Sequence, residues 1–421
     1  MSYFKRVFGD TLLLWIFAVF LVVSCVAIHY EEKQMSQKEK SEIYSYQIKW
    51  EGDGESFTEV SGETSSLSKL YAQYAVLMDA SNRRVLYEKA GYETAPMAST
   101  TKIMTLIIAL ENADLSDMVT VSSYAASMPD VQLGMKTGEQ YRLSDLLYSL
   151  MLESHNDTAV AIAEHVGGSV EGFAAMMNEK AASLGAYDTN FVTPNGLDAE
   201  NHHTTAYDLA LIASYAIENE KFLEIIQTPS YTFHEQSTGR SFTVNNKDRF
   251  LTSYEGAIGI KTGFTGKAGY CFVGAVKREE KCFVSVVLAC GWPPHKTYKW
   301  TDTTNLMNYG VKEYSNKEIL VKDTTFQPIA VEDSIEDMPV TPYVKESVSL
   351  LLREGEQVTY DIKLPKTIKA PVKKDETIGE ITIKIDDEIY KILPLYSREK
   401  RTRITYIYIL KSVISKYFIL E

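Results

Sequence analysis

Met97-Ala98-Ser99-Thr100-Thr101-Lys102 runs straight into Ile103-Met104-Thr105-Leu106-Ile107-Ile108-Ala109-Leu110. The stretch predicts a loop turning into a helix that is apolar almost all round, and such a helix belongs in a core. Ser99 and Lys102 stand one turn apart, which puts their side chains on one face. A lysine at the start of a buried helix meets a low-dielectric interior that disfavours its charge and lowers its pKa. A neutral amine beside a hydroxyl can take its proton, one way to make a serine nucleophilic without histidine. Serine and threonine are also ordinary helix caps, and S-x-x-K alone is common, so the pair carries weight only in company.

That company lies downstream. Leu143 to Leu152 has a helical apolar pattern, and Glu153-Ser154-His155-Asn156-Asp157 separates it from a second predicted helix at 158–165. Lys261-Thr262-Gly263 sits in a predicted strand, 256–263, next to a hairpin of 269–276 with 282–289. A first hairpin is expected from 74–79 and 85–88, and short strand pieces at 119–121 and 141–142. Further helices are expected at 171–184, 206–217 and 303–309. Strands at both ends with helices between predict an α+β domain, helices packed on an antiparallel sheet.

The rest of the chain sets the context. Lys5 and Arg6 precede an uncharged run, 11–28, that reads as a secretory signal or a retained membrane anchor. Cys25-Val26-Ala27 loosely fits a cleavage site, while Val22-Val23-Ser24-Cys25 resembles a bacterial lipobox. Either ending, or a simple anchor, exports the remainder of the chain. Residues 29–66 are polar and low in aliphatics, a linker with no core of its own. Residues 67–315 hold the α+β pattern. From 316 to 396, short alternating runs such as Ile381-Thr382-Ile383-Lys384-Ile385 predict a small all-β domain. Residues 397–421 begin with Arg398, Lys400, Arg401 and Arg403 and turn apolar at Ile404, a pattern suited to a membrane surface; a final strand or helix capping the β domain is the alternative.

At 421 residues, 45% hydrophobic and 24% charged, the chain is long enough for two domains. A net charge of −13 argues against a nucleic-acid partner. Cys271, Cys282 and Cys290 have no tight spacing, and the seven histidines form no H-E-x-x-H, so neither a disulfide framework nor a metal is expected.

Ser99-x-x-Lys102, Ser154-His155-Asn156 and Lys261-Thr262-Gly263, in this order, resemble the motif trio of penicillin-binding proteins and class A β-lactamases. Pro194-Asn195-Gly196-Leu197-Asp198, Ala206-Tyr207-Asp208-Leu209-Ala210 and Gly259 to Thr265 narrow the likeness. It is to the low-molecular-mass penicillin-binding proteins, the serine D-alanyl-D-alanine carboxypeptidases of peptidase S11 type. The 67–315 stretch then resembles their DD-peptidase domain, and Ala370-Pro371-Val372-Lys373-Lys374 their C-terminal domain.

The resemblance implies removal of the terminal D-alanine from peptidoglycan stem pentapeptides through a Ser99 acyl-enzyme, with no cofactor and with β-lactam antibiotics as covalent inhibitors. Lys102 would accept the proton of Ser99, and Ser154 would relay one to the leaving amine. Asn156 would hold Lys102 and the substrate amide. Lys261, Thr262 and Thr265 would recognise the terminal carboxylate, and Gly263 would let the substrate backbone approach the strand. The N–H groups of Ser99 and Phe264 would form the oxyanion hole. His155 departs from the small residue usual there; its ring is expected to fill space near Ser154 or to add a titrating group. A DD-endopeptidase uses the same residues on crosslinked peptide. A β-lactamase fits less well, since no E-x-x-L-N lies between Asn156 and Lys261. An inactive β-lactam sensor fits poorly with a complete set of catalytic side chains.

Overall fold

The computed structural model describes residues 43–50, 69–129 and 131–418. The expected signal or anchor at 1–28 and most of the 29–66 linker lie outside the described residues.

The first compact unit runs to Glu318 and takes in Ser349–Glu356 as well. Its sheet has five antiparallel strands in the order Arg84–Lys89, Tyr74–Asp79, Lys281–Leu288, Gly269–Arg278 and Ala257–Thr265. The central strands are apolar on both faces because both faces are covered. Val76, Met78, Val284 and Val286 point into a core shared with Leu106 and Ile212, on the side of the Lys102–Asn112 and Ala206–Ala216 helices. Their alternates Ala75, Leu77, Phe283 and Val287 point into a second core, with Leu306 and Met307 of the Tyr298–Glu313 helix. The strand carrying Lys261-Thr262-Gly263 is an edge strand of this sheet.

Most of the expected elements form. The Leu143–Leu152 helix has the expected bounds, and the helix after Ser154 spans Asn156–Gly167, ending on Gly168 in the left-handed region (φ 72°). The helix expected at 303–309 extends over Tyr298–Glu313. Unanticipated are the Glu220–Gln227 helix and a hairpin of Ser230–His234 with Ser241–Asn245. The hairpin turn is organised by Glu235, whose carboxylate accepts from the N–H groups of Gln140, Ser237 and Thr238.

The second unit comprises residues 319–348, 357–418 and the described residues 43–50. Its five-stranded antiparallel sheet has the order Ile43–Lys49, Val358–Pro365, Thr377–Ile385, Glu388–Ser397 and Pro342–Tyr343. Val358, Tyr360, Ile362 and Leu364 are buried at every second position, as a half-buried strand requires. The linker expectation fails at Ile43–Lys49, which pairs along the whole of the 358–365 strand from Ile43↔Pro365 to Lys49↔Thr359. An edge strand is held by backbone hydrogen bonds and buries little side chain, so a polar composition does not prevent it. The expected domain boundary also needs correction, because Ser349–Glu356 belongs to the first unit. There Leu351 joins the second core, and Arg84 forms an ion pair with Glu356.

The C-terminal segment forms a helix, Tyr406–Phe418, on which Ile407, Ile409, Leu410 and Val413 are all exposed rather than packed on the β core. The basic cluster before it is only partly available. Arg401 is buried and donates to the carbonyls of Met338 and Pro339, and Arg398 lies 3.8 Å from Asp323. No helix among the described residues is long and apolar enough to cross a membrane.

Candidate active site

Ser99 lies in a 3-10 turn, Ala98–Thr101, at the mouth of the Lys102–Asn112 helix. Ala98 takes a left-handed conformation (φ 49°) that offsets the turn from the helix and leaves Ser99 half-buried while Lys102 is fully buried. Lys102 Nζ is 2.9 Å from Ser99 Oγ, 2.9 Å from Asn156 Oδ1 and 2.6 Å from the carbonyl of Asn195. Burial, then the charge of Lys261, holds its pKa well below the ordinary lysine value, against a smaller opposing pull from Asp157. A neutral Lys102 has two N–H donors and one lone pair. With Asn156 and Asn195 accepting the two donors, the lone pair faces Ser99 Oγ.

Ser154 follows the Leu143–Leu152 helix in a left-handed conformation (φ 70°), and its buried Oγ has no hydrogen-bond partner among the described residues. Asn156 opens the next helix and donates through Nδ2 to Pro129 O at 3.2 Å. Lys261 is 3% exposed and donates to Thr262 O at 3.2 Å. Burial and the positive charge of Lys299 push its pKa down to about 7, against Asp248.

The edge strand meets the Ser99 turn at Gly263, where an added Cβ would stand 3.0 Å from Ser99 N and 3.1 Å from Ala98 Cβ. The glycine therefore serves first to seat the strand against the nucleophile turn. Phe264 is 43% exposed and packs on Tyr270, with ring centroids 4.6 Å apart. The Thr265 hydroxyl donates to Asp198 Oδ1 at 2.9 Å and accepts from Ala268 N at 3.0 Å. Through these two bonds Thr265 braces the turn that follows Lys261-Thr262-Gly263.

Tertiary structure thus brings together Ser99, Lys102, Asn156 and Gly263, by the contacts above, and couples Lys261 electrostatically to Lys102. A family described as D-alanyl-D-alanine carboxypeptidase matches residues 61–291, more than half the chain. The chain belongs to that family. Residues 314–403 match a second family, described as the penicillin-binding protein 5 C-terminal domain.

Among its relatives, D-alanyl-D-alanine carboxypeptidase DacF of Bacillus subtilis is 29% identical over 369 residues, 86% of this chain and 94% of that one. A D-alanyl-D-alanine carboxypeptidase of a Streptomyces species is 35% identical over 241 residues, 53% of this chain and 82% of that one. The solved penicillin-binding protein 5 of Haemophilus influenzae superposes with a TM-score of 0.67 at 25% identity, covering 80% of this chain and 99% of that one.

In this carboxypeptidase-family chain several site-shaping groups escaped the sequence reading. Asn195 acts through its backbone carbonyl, which any residue type carries. Gly196 (φ 82°) packs so closely that an added Cβ would stand 2.0 Å from Ala98 O. His202 Nε2 is 3.0 Å from Thr101 Oγ1, and its burial pushes its pKa down to about 4. Asp157, 1% exposed, accepts from the N–H groups of Leu133, Gly134 and Met135 and so pins the loop before the second motif. Its place directly after Asn156 was the available signal.

Proposed function

We propose that this protein removes the terminal D-alanine from peptidoglycan stem pentapeptides through a Ser99 acyl-enzyme. The observation that carries the proposal is the three-way coordination of a buried Lys102 by Ser99, Asn156 and Asn195. Ser99 Oγ attacks the carbonyl between the two terminal D-alanines as its proton passes to Lys102 Nζ. The oxyanion sits against the N–H groups of Ser99 and Phe264; losing one such donor typically costs ~10²–10³ in rate. Ser154, whose hydroxyl has no hydrogen-bond partner among the described residues, passes a proton to the leaving amine. Lys261, Thr262 and Thr265 hold the terminal carboxylate, and the stem adds along the free edge of the Ala257–Thr265 strand. Water then attacks the acyl carbonyl and releases the shortened stem. β-Lactams acylate the same serine.

Such a substrate lies outside the cytoplasmic membrane. We assign the exposed apolar side chains of the Tyr406–Phe418 helix to the surface of that membrane, with Lys411 exposed among them. The direct test is D-alanine release from a pentapeptide ending in D-Ala-D-Ala, wild type against Ser99→Ala. Release by the wild type alone supports the reading and its nucleophile. A folded wild type that forms a penicillin adduct but releases nothing overturns the carboxypeptidase assignment in favour of an endopeptidase or a sensor.

A further inference from the structure

His155 separates the two polar residues of the second motif, yet its ring does not enter the cleft. It is 4% exposed and turns back onto the Leu143–Leu152 helix, where Nδ1 is 2.8 Å from Ser149 Oγ. Ser149 Oγ is in turn 3.0 Å from Thr158 Oγ1 on the next helix. On the other side of the ring, Nε2 is 3.4 Å from Glu153 Oε2. The second carboxylate oxygen of Glu153 accepts from Asn245 N and from Lys247 Nζ, both at 3.0 Å. Lys247 N also donates to Leu152 O at 3.1 Å. Glutamate, imidazole and serine thus form a chain in the order of a catalytic triad, the first pair at ion-pair distance and the second hydrogen-bonded. Ser149 is fully buried, however, so the chain has no access to substrate.

What this chain holds is the backbone at Ser154. A non-glycine residue in the left-handed region is strained and persists only where its surroundings over-determine it. Among the described residues, no hydrogen bond of the Ser154 side chain holds it there. The residue after it is tied down by the ring, at the helix N-cap, between two helices and the 245–247 segment. We propose that His155 is a positioning residue, whose hydrogen bond to Ser149 and ion-pair contact with Glu153 set the backbone turn that aims Ser154 Oγ and Asn156 Oδ1 at the Ser99–Lys102 pair. The inference rests on the roles given to Ser154 and Asn156 in the proposed function.

The bonding pattern suits a neutral ring. The Glu153 carboxylate, at ion-pair distance, favours the tautomer with its proton on Nε2, in which Nδ1 accepts from the Ser149 hydroxyl. Burial lowers the pKa of His155, and the charges of Lys102 and Lys261 add to that, while Asp157 and Glu153 oppose it. Protonation turns Nδ1 into a donor, breaks the Ser149 O–H···N bond and adds a positive charge to a pocket that already holds two lysines. Acid therefore disarms the motif through His155 as well as through Lys102.

The test is the kcat and KM of D-alanine release, with the rate of penicillin acylation as a second readout, for His155→Ala, His155→Asn and Ser149→Ala. His155→Ala lowers kcat and acylation about tenfold to a hundredfold with KM nearly unchanged, the signature of misplaced groups rather than lost binding. His155→Asn keeps an acceptor toward Ser149, recovers most of kcat, and loses the second proton at the acid end of the pH profile. The Ser149→Ala and His155→Ala losses are not additive, because they break one chain. Wild-type kcat in His155→Ala, equal losses in the Ala and Asn variants, or additive losses would each overturn the inference. If the wild type itself releases no D-alanine, the proposed function fails instead.

Discussion

At the scale of single residues, the site depends on two lysines held at low pKa for different ends. In the proposed mechanism Lys102 is a base only when neutral, so kcat/KM is expected to rise with pH as its proton leaves. In the same mechanism Lys261 acts by its positive charge, and with its pKa pushed down to about 7 by burial and Lys299 that charge is expected to be lost as pH climbs. The expected profile of kcat/KM is a bell whose alkaline limb belongs to Lys261. Lys261→Arg keeps the charge at all accessible pH, so its alkaline limb moves up or disappears while the maximum is lower. A steady-state pH series on both proteins checks this. Gly196→Ala tests the packing behind Ser99. The new Cβ would fall 2.0 Å from Ala98 O at a positive φ, so the turn must shift. A loss of about 1–3 kcal/mol in stability is expected, with slower penicillin acylation, measured by denaturation and adduct formation. Ser99 and Lys102 were legible in the sequence because their spacing puts them on one helical face. The Asn195 carbonyl was not, since a backbone acceptor leaves no mark on residue type.

At the scale of elements, the second motif is a junction between two helices rather than a free loop. Asp157 accepts from three successive backbone N–H groups at Leu133, Gly134 and Met135, and Asn156 N donates to Val131 O at 2.7 Å. Asp157→Ala leaves those donors unpaired beside the cleft and is expected to cost about 1–3 kcal/mol per buried donor left unsatisfied. The loop at 131–135 should then exchange amide hydrogen faster, with acylation slowed; unchanged exchange there would contradict its role as an anchor. Helix and strand periodicity foretold the Leu143–Leu152 helix and the hairpin of Gly269–Arg278 with Lys281–Leu288, whose apolar patterns are long. The Ser230–His234 and Ser241–Asn245 strands were missed. Each buries little beyond one side chain, Phe233 or Val244, and their turn is built by Glu235 contacts that reach Gln140 far away in the chain.

At the scale of the whole molecule, the Ile43–Lys49 strand protects the edge of the all-β unit. Paired substitutions Ser45→Pro and Tyr46→Pro remove a ladder donor whichever of the two residues points its N–H at the Val358–Pro365 strand. The all-β unit should melt earlier and its bared edge should promote aggregation, while D-alanine release stays at the wild-type level. Truncation after Thr405 removes the exposed helix. Cosedimentation with anionic phospholipid vesicles should be lost with solution activity retained, and retained binding would refute the membrane-surface assignment.

The sequence by itself determined the α+β class, the all-β region beyond it and the three motifs, because local periodicity and residue chemistry encode these within short windows. Which groups meet depends on how the chain folds back on itself. Lys102 reaches Asn195 across 93 positions, Gly263 seats the edge strand on the Ser99 turn, and a segment ahead of the first domain completes the second sheet. These contacts join distant windows through backbone atoms and close packing, which residue types read in order do not record.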